Sequence, residues 1–183
     1  MSTVKLTGIV GSLRAGSVHG ALAGAATAAV PDDAVLTIHD VGDVALYNGD
    51  AERDGPPPSV QALRDAVDRA DGIVFFSPEY NTSLPAVTKN VIDWLSRDPT
   101  VWDGTGITMV SMSPGGRAGI GAREHFSAIM ERQAPHQFET LGFGRYGDRM
   151  DDDGNVTDTD TLDGLASFLE RFVEHCRTAS DTR

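Results

Sequence analysis

Apolar positions along the chain alternate between two rhythms. Short runs of strand type, rich in β-branched and aromatic residues, cover Val4–Val10, Ala34–His39, Gly72–Ser77, Ile107–Met112 and Phe138–Phe143. Between them, apolar residues recur at helical spacing. Ser17–Val30 puts Leu22, Ala25, Ala26 and Ala29 on one face, and Pro31 ends it. Val60–Ala70 aligns Val60, Leu63 and Val67. Ile120–Gln133 turns Phe126, Ile129 and Met130 inward, and Leu162–His175 carries Leu165, Phe168, Leu169, Phe172 and Val173 on one stripe. Strands that alternate with helices predict an α/β fold, a doubly wound parallel sheet with helices on both faces and right-handed crossovers. The 183 residues fit one domain. Asp50–Pro58, rich in charge, Gly and Pro, reads as a loop.

The segment Gly72–Arg97 is the most informative. Its Gly-Ile-Val-Phe-Phe-Ser run suits a strand buried on both faces. Pro78 cannot continue the ladder, because it has no N–H. Pro78-Glu79-Tyr80-Asn81 then reads as a polar loop, and Leu84–Leu95 as a helix with Pro85 in its first turn. Val87, Val91, Trp94 and Leu95 form its apolar face. A strand–loop–helix unit places that loop at the carboxyl edge of the sheet, where open α/β sheets bind ligands. Trp94 reads as core or subunit contact rather than a direct ligand.

Pro78-Glu79-Tyr80-Asn81, followed by Lys89-Asn90-Val91-Ile92-Asp93-Trp94-Leu95-Ser96-Arg97, resembles the NAD(P)H-dependent FMN reductase family of flavodoxin-like quinone and azo-dye reductases. The resemblance covers roughly Lys5 to Arg132. It implies the flavodoxin-like strand order 2-1-3-4-5, which periodicity alone does not select. It also implies that Pro78, Glu79, Tyr80 and Asn81 run along the flavin edge. Leu46-Tyr47-Asn48 resembles a segment at the rim of the same site.

The loop Gly11-Ser12-Leu13-Arg14-Ala15-Gly16-Ser17 joins the first strand to the first helix. A helix N-terminus offers free N–H groups and a partial positive charge. Ser12 and Ser17 add hydroxyls, and Arg14 adds a fork suited to phosphate. Ser17 also reads as a plain N-cap. A Walker A site is excluded, because Ser17-Val18 stands where Lys-Ser/Thr is required. The G-x-G-x-x-G fingerprint is missing here. The loop resembles the family's FMN-phosphate loop, Gly-Ser-Leu-Arg-x-x-Ser. The family usually has asparagine two residues further on, and here that position is His19, a hydrogen-bond donor that adds charge if protonated.

The fourth strand ends at Ser113-Pro114-Gly115-Gly116-Arg117-Ala118-Gly119. Adjacent glycines let backbone approach a flat ring. The resemblance makes Ser113, Gly115 and Gly116 the border of the flavin's pyrimidine side. Arg117 has two readings, a flavin-edge or nicotinamide-dinucleotide contact, and a surface charge. Asp151-Asp152-Asp153-Gly154-Asn155 resembles a calcium loop, but aligned on Gly154 its first ligand position is Arg149, so it reads as a surface turn. The histidines lack zinc-like spacing, and no G-x-S-x-G elbow is present.

Charge narrows the partners. Fifteen Lys and Arg against 27 Asp and Glu leave a net charge of −12, with Lys5 and Lys89 the only lysines. Such a surface repels nucleic acid and anionic membranes, and no apolar run is long enough to span a bilayer. It would suit a high-salt cytoplasm. Cys176 is the only cysteine, in keeping with a cytoplasmic location and a small apolar role. The N-terminal residues lead straight into a strand without secretory character. Together these expectations describe an FMN-dependent oxidoreductase. It passes hydride from NADPH or NADH through FMN to a small electron acceptor such as a quinone or azo dye. The resemblance also implies a homodimer or homotetramer. A flavodoxin-like electron carrier and a flavin-free module of the same fold are the alternatives.

Overall fold

The computed structural model describes residues 2–180. Five strands form one parallel sheet in the order β2-β1-β3-β4-β5. They are β1 (Val4–Val10), β2 (Ala34–His39), β3 (Gly72–Phe76), β4 (Gly106–Met112) and β5 (Leu141–Phe143). The chain leaves the first of them to the second, then crosses back over β1 to place β3 on its other side, in register Leu6↔Gly72 to Val10↔Phe76. The switch point therefore lies between β1 and β3, as the strand order 2-1-3-4-5 requires.

All five residues of β3 are buried, as a strand covered on both faces demands. Its side chains alternate between two cores. Val74 and Phe76 pack with Leu22 of α1 (Val18–Ala29) and with Leu169 and Phe172 of α6 (Thr159–Ser180). Ile73 and Phe75 pack with Leu63 of α3 (Pro58–Asp68), Val91 of α4 (Ala86–Leu95) and Phe126 of α5 (Ile120–Met130). Cys176 is fully buried, and its Sγ sits so close to Gly72 and Gly106 that any β-carbon there would overlap it. Burial pushes its thiol up to about 12, so it is an inert packing atom.

Four elements differ from the sequence expectation. Asp50–Pro58 is not wholly loop. A short helix, α2 (Gly49–Arg53), starts on the Asn48 side chain, which accepts the Asp50 N–H, and Pro58 opens α3. Pro85 stands one position before α4 rather than in its first turn. The last helix begins earlier and ends later than Leu162–His175. The expected strand Phe138–Phe143 keeps only Leu141–Phe143. Ile107 pairs with Gln137, but Val110 pairs with Leu141, so one extra residue interrupts the ladder. Thr108 Oγ1 donates to Glu139 O there (2.7 Å), and Phe138 packs against Phe168 and Phe172. Among the described residues no helix is long and apolar enough to cross a membrane.

Candidate active site

Four loops meet at the carboxyl edge of the sheet. Three follow β1, β3 and β4, and the fourth follows β5. They enclose a cavity of about 250 Å³. Ser12, Arg14, Ser17 and His19 line it from the first loop and the start of α1, Pro78, Glu79 and Tyr80 from the second, and Met112, Ser113 and Pro114 from the third. Tyr146, from the loop after β5, completes the wall. Ser12, Arg14 and Ser17 also line an adjoining groove of about 380 Å³, whose far side is Asp153 and Gly154.

Gly11 sets how closely the first two loops approach. Its N–H donates to Phe76 O (2.8 Å), which carries the β1–β3 pairing one step past the strands. Beneath it Ser77 Oγ and Thr88 Oγ1 share a buried hydrogen bond of 2.7 Å. A β-carbon at Gly11 would overlap Thr88 Oγ1 and lie 2.7 Å from Ser77 Oγ. Beyond Gly11 the chain turns into α1. The Ser17 side chain accepts the Gly20 N–H (2.9 Å), so the N-cap reading of Ser17 holds. The amides of Ser12–Gly16, Val18 and His19 have no acceptor among the described residues. Arg14 is exposed, with no carboxylate partner among them.

His19 does not contribute charge at neutral pH. It is buried, and its Nε2 accepts the Met112 N–H (3.1 Å). Burial lowers its pKa to about 4, so the ring is neutral and Nδ1 carries the proton. One side chain thus ties the start of α1 to the end of β4.

The second loop is clamped to α5. Gly119, the N-cap of that helix, is in the left-handed region and offers no side-chain cap. Glu79 supplies one from a distance, with Oε2 accepting from Gly121 N (2.7 Å) and Ala122 N (3.3 Å). Oε2 of Glu79 is therefore committed to the helix, while the residue also lines the cavity. Tyr80 and Ser83 exchange backbone hydrogen bonds of 3.0 and 3.1 Å across a tight turn. The turn residues Asn81 and Thr82 have φ of 51° and 61°. Positive φ is uncommon for Thr, because its branched Cβ crowds the backbone. Ser83 Oγ to His125 Nδ1 (2.7 Å) holds the turn on α5. Asn81 lies at the exposed tip, outside the cavity.

The Asn90–Trp94 pair explains part of the motif on α4. Asn90 Oδ1 accepts the Tyr47 N–H (2.8 Å), and its amide donates to Ala45 O (3.0 Å). Trp94 Nε1 donates to the same carbonyl (2.7 Å), and its ring meets Tyr47 edge-on. Trp94 is fully buried, so it belongs to the core. The 44–48 segment is thereby pinned. In the third loop the amides of Gly115, Gly116 and Arg117 have no acceptor among the described residues, and these three residues border the cavity without lining it.

The model of the NADPH-dependent FMN reductase family matches residues 4–142. The chain belongs to this family. A quinone reductase from Pseudomonas putida is 34% identical over 169 residues, with 90% of each chain covered. A 2-hydroxy-1,4-benzoquinone reductase from a Burkholderia species is 30% identical, covering 95% of this chain and 97% of the other. The solved structure of FerB, a flavoenzyme NAD(P)H:(acceptor) oxidoreductase from Paracoccus denitrificans, superposes with a TM-score of 0.85. The two are 26% identical, with 96% and 98% of the chains covered. The reductase is thus an FMN-dependent oxidoreductase driven by NAD(P)H, and its sheet order is that of the flavodoxin-like flavoenzymes. Sequence reasoning missed Tyr146 and the Asp153–Gly154 wall. The only available signal was general, since the loop after β5 also ends at the carboxyl edge of the sheet.

Proposed function

We propose that the reductase holds FMN across these loops and reduces small quinones with electrons from NADPH or NADH. The observation that carries the placement is the set of unpartnered donors around one edge of the cavity, in a protein whose net charge is −12. Free amides at the start of α1, the Ser12 and Ser17 hydroxyls and the unpaired Arg14 fit a phosphate dianion. The residues present therefore fit FMN, with its phosphate where the cavity and the groove share Ser12, Arg14 and Ser17.

FMN, when bound, supplies the hydride chemistry. The chain supplies placement and electrostatics. His19 lines the cavity as a neutral ring, and its Nδ1–H has no partner among the described residues. Pro78, Glu79 and Tyr80 border one side of the ring site, and Ser113 and Pro114 the other. The free amides of Gly115, Gly116 and Arg117 are donors for negative charge that develops at the pyrimidine end. The quinone acceptor is supported by the relatives that carry that activity in their names. A homodimer or homotetramer in the cytoplasm is part of the same reading, and the exposed Tyr80 beside the cavity would then lie near a subunit contact. Titration of the flavin-free protein with FMN, followed by fluorescence quenching, tests the placement. Tight binding that depends on Arg14 supports it, and binding indifferent to Arg14 sinks it.

A further inference from the structure

Cations are scarce in this chain, and many are committed to ion pairs. Arg149 pairs with Asp158, Arg171 with Glu139, and Arg177 with Asp33 and Glu174. Arg69 and Arg132 have no ion-pair partner among the described residues, and neither have Arg117 and Arg145, the two that stand beside the cavity. Both are exposed, and neither guanidinium has a hydrogen-bond or ion-pair partner among the described residues. Arg14 shares that freedom, but the FMN phosphate accounts for it. Nothing in the flavin site accounts for the other two.

Their backbones abut. Arg145 N–H donates to Gly115 O, and Tyr146 N–H to Ser113 O, each at 3.1 Å. A β-carbon on Gly144 would lie 2.9 Å from Gly115 O and 3.0 Å from Gly116 Cα. Gly115 and Arg117 are separated by at most about 7 Å of chain. Both guanidiniums can therefore reach one multivalent anion. They spring from loops whose neighbours, Pro114 and Tyr146, line the cavity, while the arginines themselves stand outside it. Arg145 also occupies the left-handed region, with φ of 55°. Glycine or asparagine would sit there at lower cost, so the charge is kept against local preference. The opposite rim, after β2, carries Asp40 and Asp43, which repel phosphate.

A nicotinamide must stack on the flavin for hydride transfer, so the rest of the dinucleotide extends over the rim. The rim after β4 and β5 is where the two unpaired guanidiniums stand, with the exposed Asp148 and Asp151–Asp153 further along the loop after β5. We infer that Arg117 and Arg145 together recognise the 2′-phosphate of NADPH and so set the preference for NADPH over NADH. This rests on the FMN reductase reading above.

The test uses FMN-loaded protein and the variants Arg117→Gln, Arg145→Asn and the pair. Asparagine tolerates the left-handed backbone, and the Arg145 N–H bond survives the change. Calorimetry with adenosine 2′,5′-bisphosphate and with 5′-AMP reads the phosphate contact without turnover. Wild type should bind the bisphosphate at least about tenfold tighter, and the double variant should lose that difference. The ratio of kcat/KM for NADPH over NADH should fall by about the same factor. Equal affinity for the two nucleotides in wild type overturns the inference, as does a double variant that keeps the difference. If wild-type flavin is reduced by neither donor, the reductase reading itself fails. If it is reduced and the variants keep the donor ratio, only the arginine pair fails.

Discussion

Replacing Gly11 with alanine separates two opposing effects. In an unstrained position Gly→Ala stabilises by about 0.4–1 kcal/mol, because the unfolded chain loses freedom. No positive φ is recorded at Gly11, so its backbone is open to alanine. The space is not. The new methyl would overlap Thr88 Oγ1 and crowd Ser77 Oγ at 2.7 Å, and both atoms belong to buried residues on packed elements. Relief requires either a shift of the first loop or rotation of Thr88, which breaks the 2.7 Å Ser77–Thr88 bond. Overpacking costs about 1–3 kcal/mol, and a stranded buried hydroxyl costs about 1–3 kcal/mol more. The net expectation is a loss of about 1–5 kcal/mol. Urea denaturation of the flavin-free protein, at a slope of roughly 2 kcal/mol/M, should show the midpoint falling by about 0.5–2.5 M. Removing the obstructing hydroxyl in Gly11→Ala/Thr88→Ala should recover part of the loss, a coupling that a double-mutant cycle measures. A Gly11→Ala protein as stable as wild type, or more stable, would refute the reasoning.

Arg14→Ala should weaken FMN binding by about 10- to 100-fold with little change in the urea midpoint, measured by flavin fluorescence titration. His19 has its pKa lowered from 6.5 to about 4 in the fold, so the unfolded chain takes up a proton there that the native state refuses. Its contribution is complete above about pH 6.5 and is lost progressively down to about pH 4, up to about 3 kcal/mol. His19→Asn should flatten that part of the stability–pH curve, and an unchanged slope would contradict the burial argument. Asn90→Ala should free the 44–48 segment, costing about 1–3 kcal/mol and speeding proteolytic nicking near Leu46, an exposed residue. Nicking at the wild-type rate would show that Trp94 alone holds the segment.

The strand and helix succession was legible because each element repeats its signal many times. β3 is buried throughout, and α6 carries a long apolar stripe. That the loops after β1, β3 and β4 line one cavity was legible because strand ends in such a sheet converge on one edge. What escaped has a physical reason in each case. The 137–141 segment has strand composition, but its pairing with β4 is broken by one residue, and register is a property of two segments in contact. The short helix Gly49–Arg53 depends on one side-chain cap and has too few residues to show a period. The neutrality of His19 comes from burial against β4, some ninety positions away in the chain (|i−j| = 93). The Glu79 carboxylate caps α5, which lacks a side-chain cap of its own, and that contact spans |i−j| = 42 along the chain.

The most direct measurement is the absorbance spectrum of the purified protein with FMN, followed by anaerobic NADPH and then a quinone. The account predicts bound-flavin bands that bleach with the donor and return with the acceptor. Absence of bound flavin, or bound flavin that neither NADPH nor NADH bleaches, would contradict it.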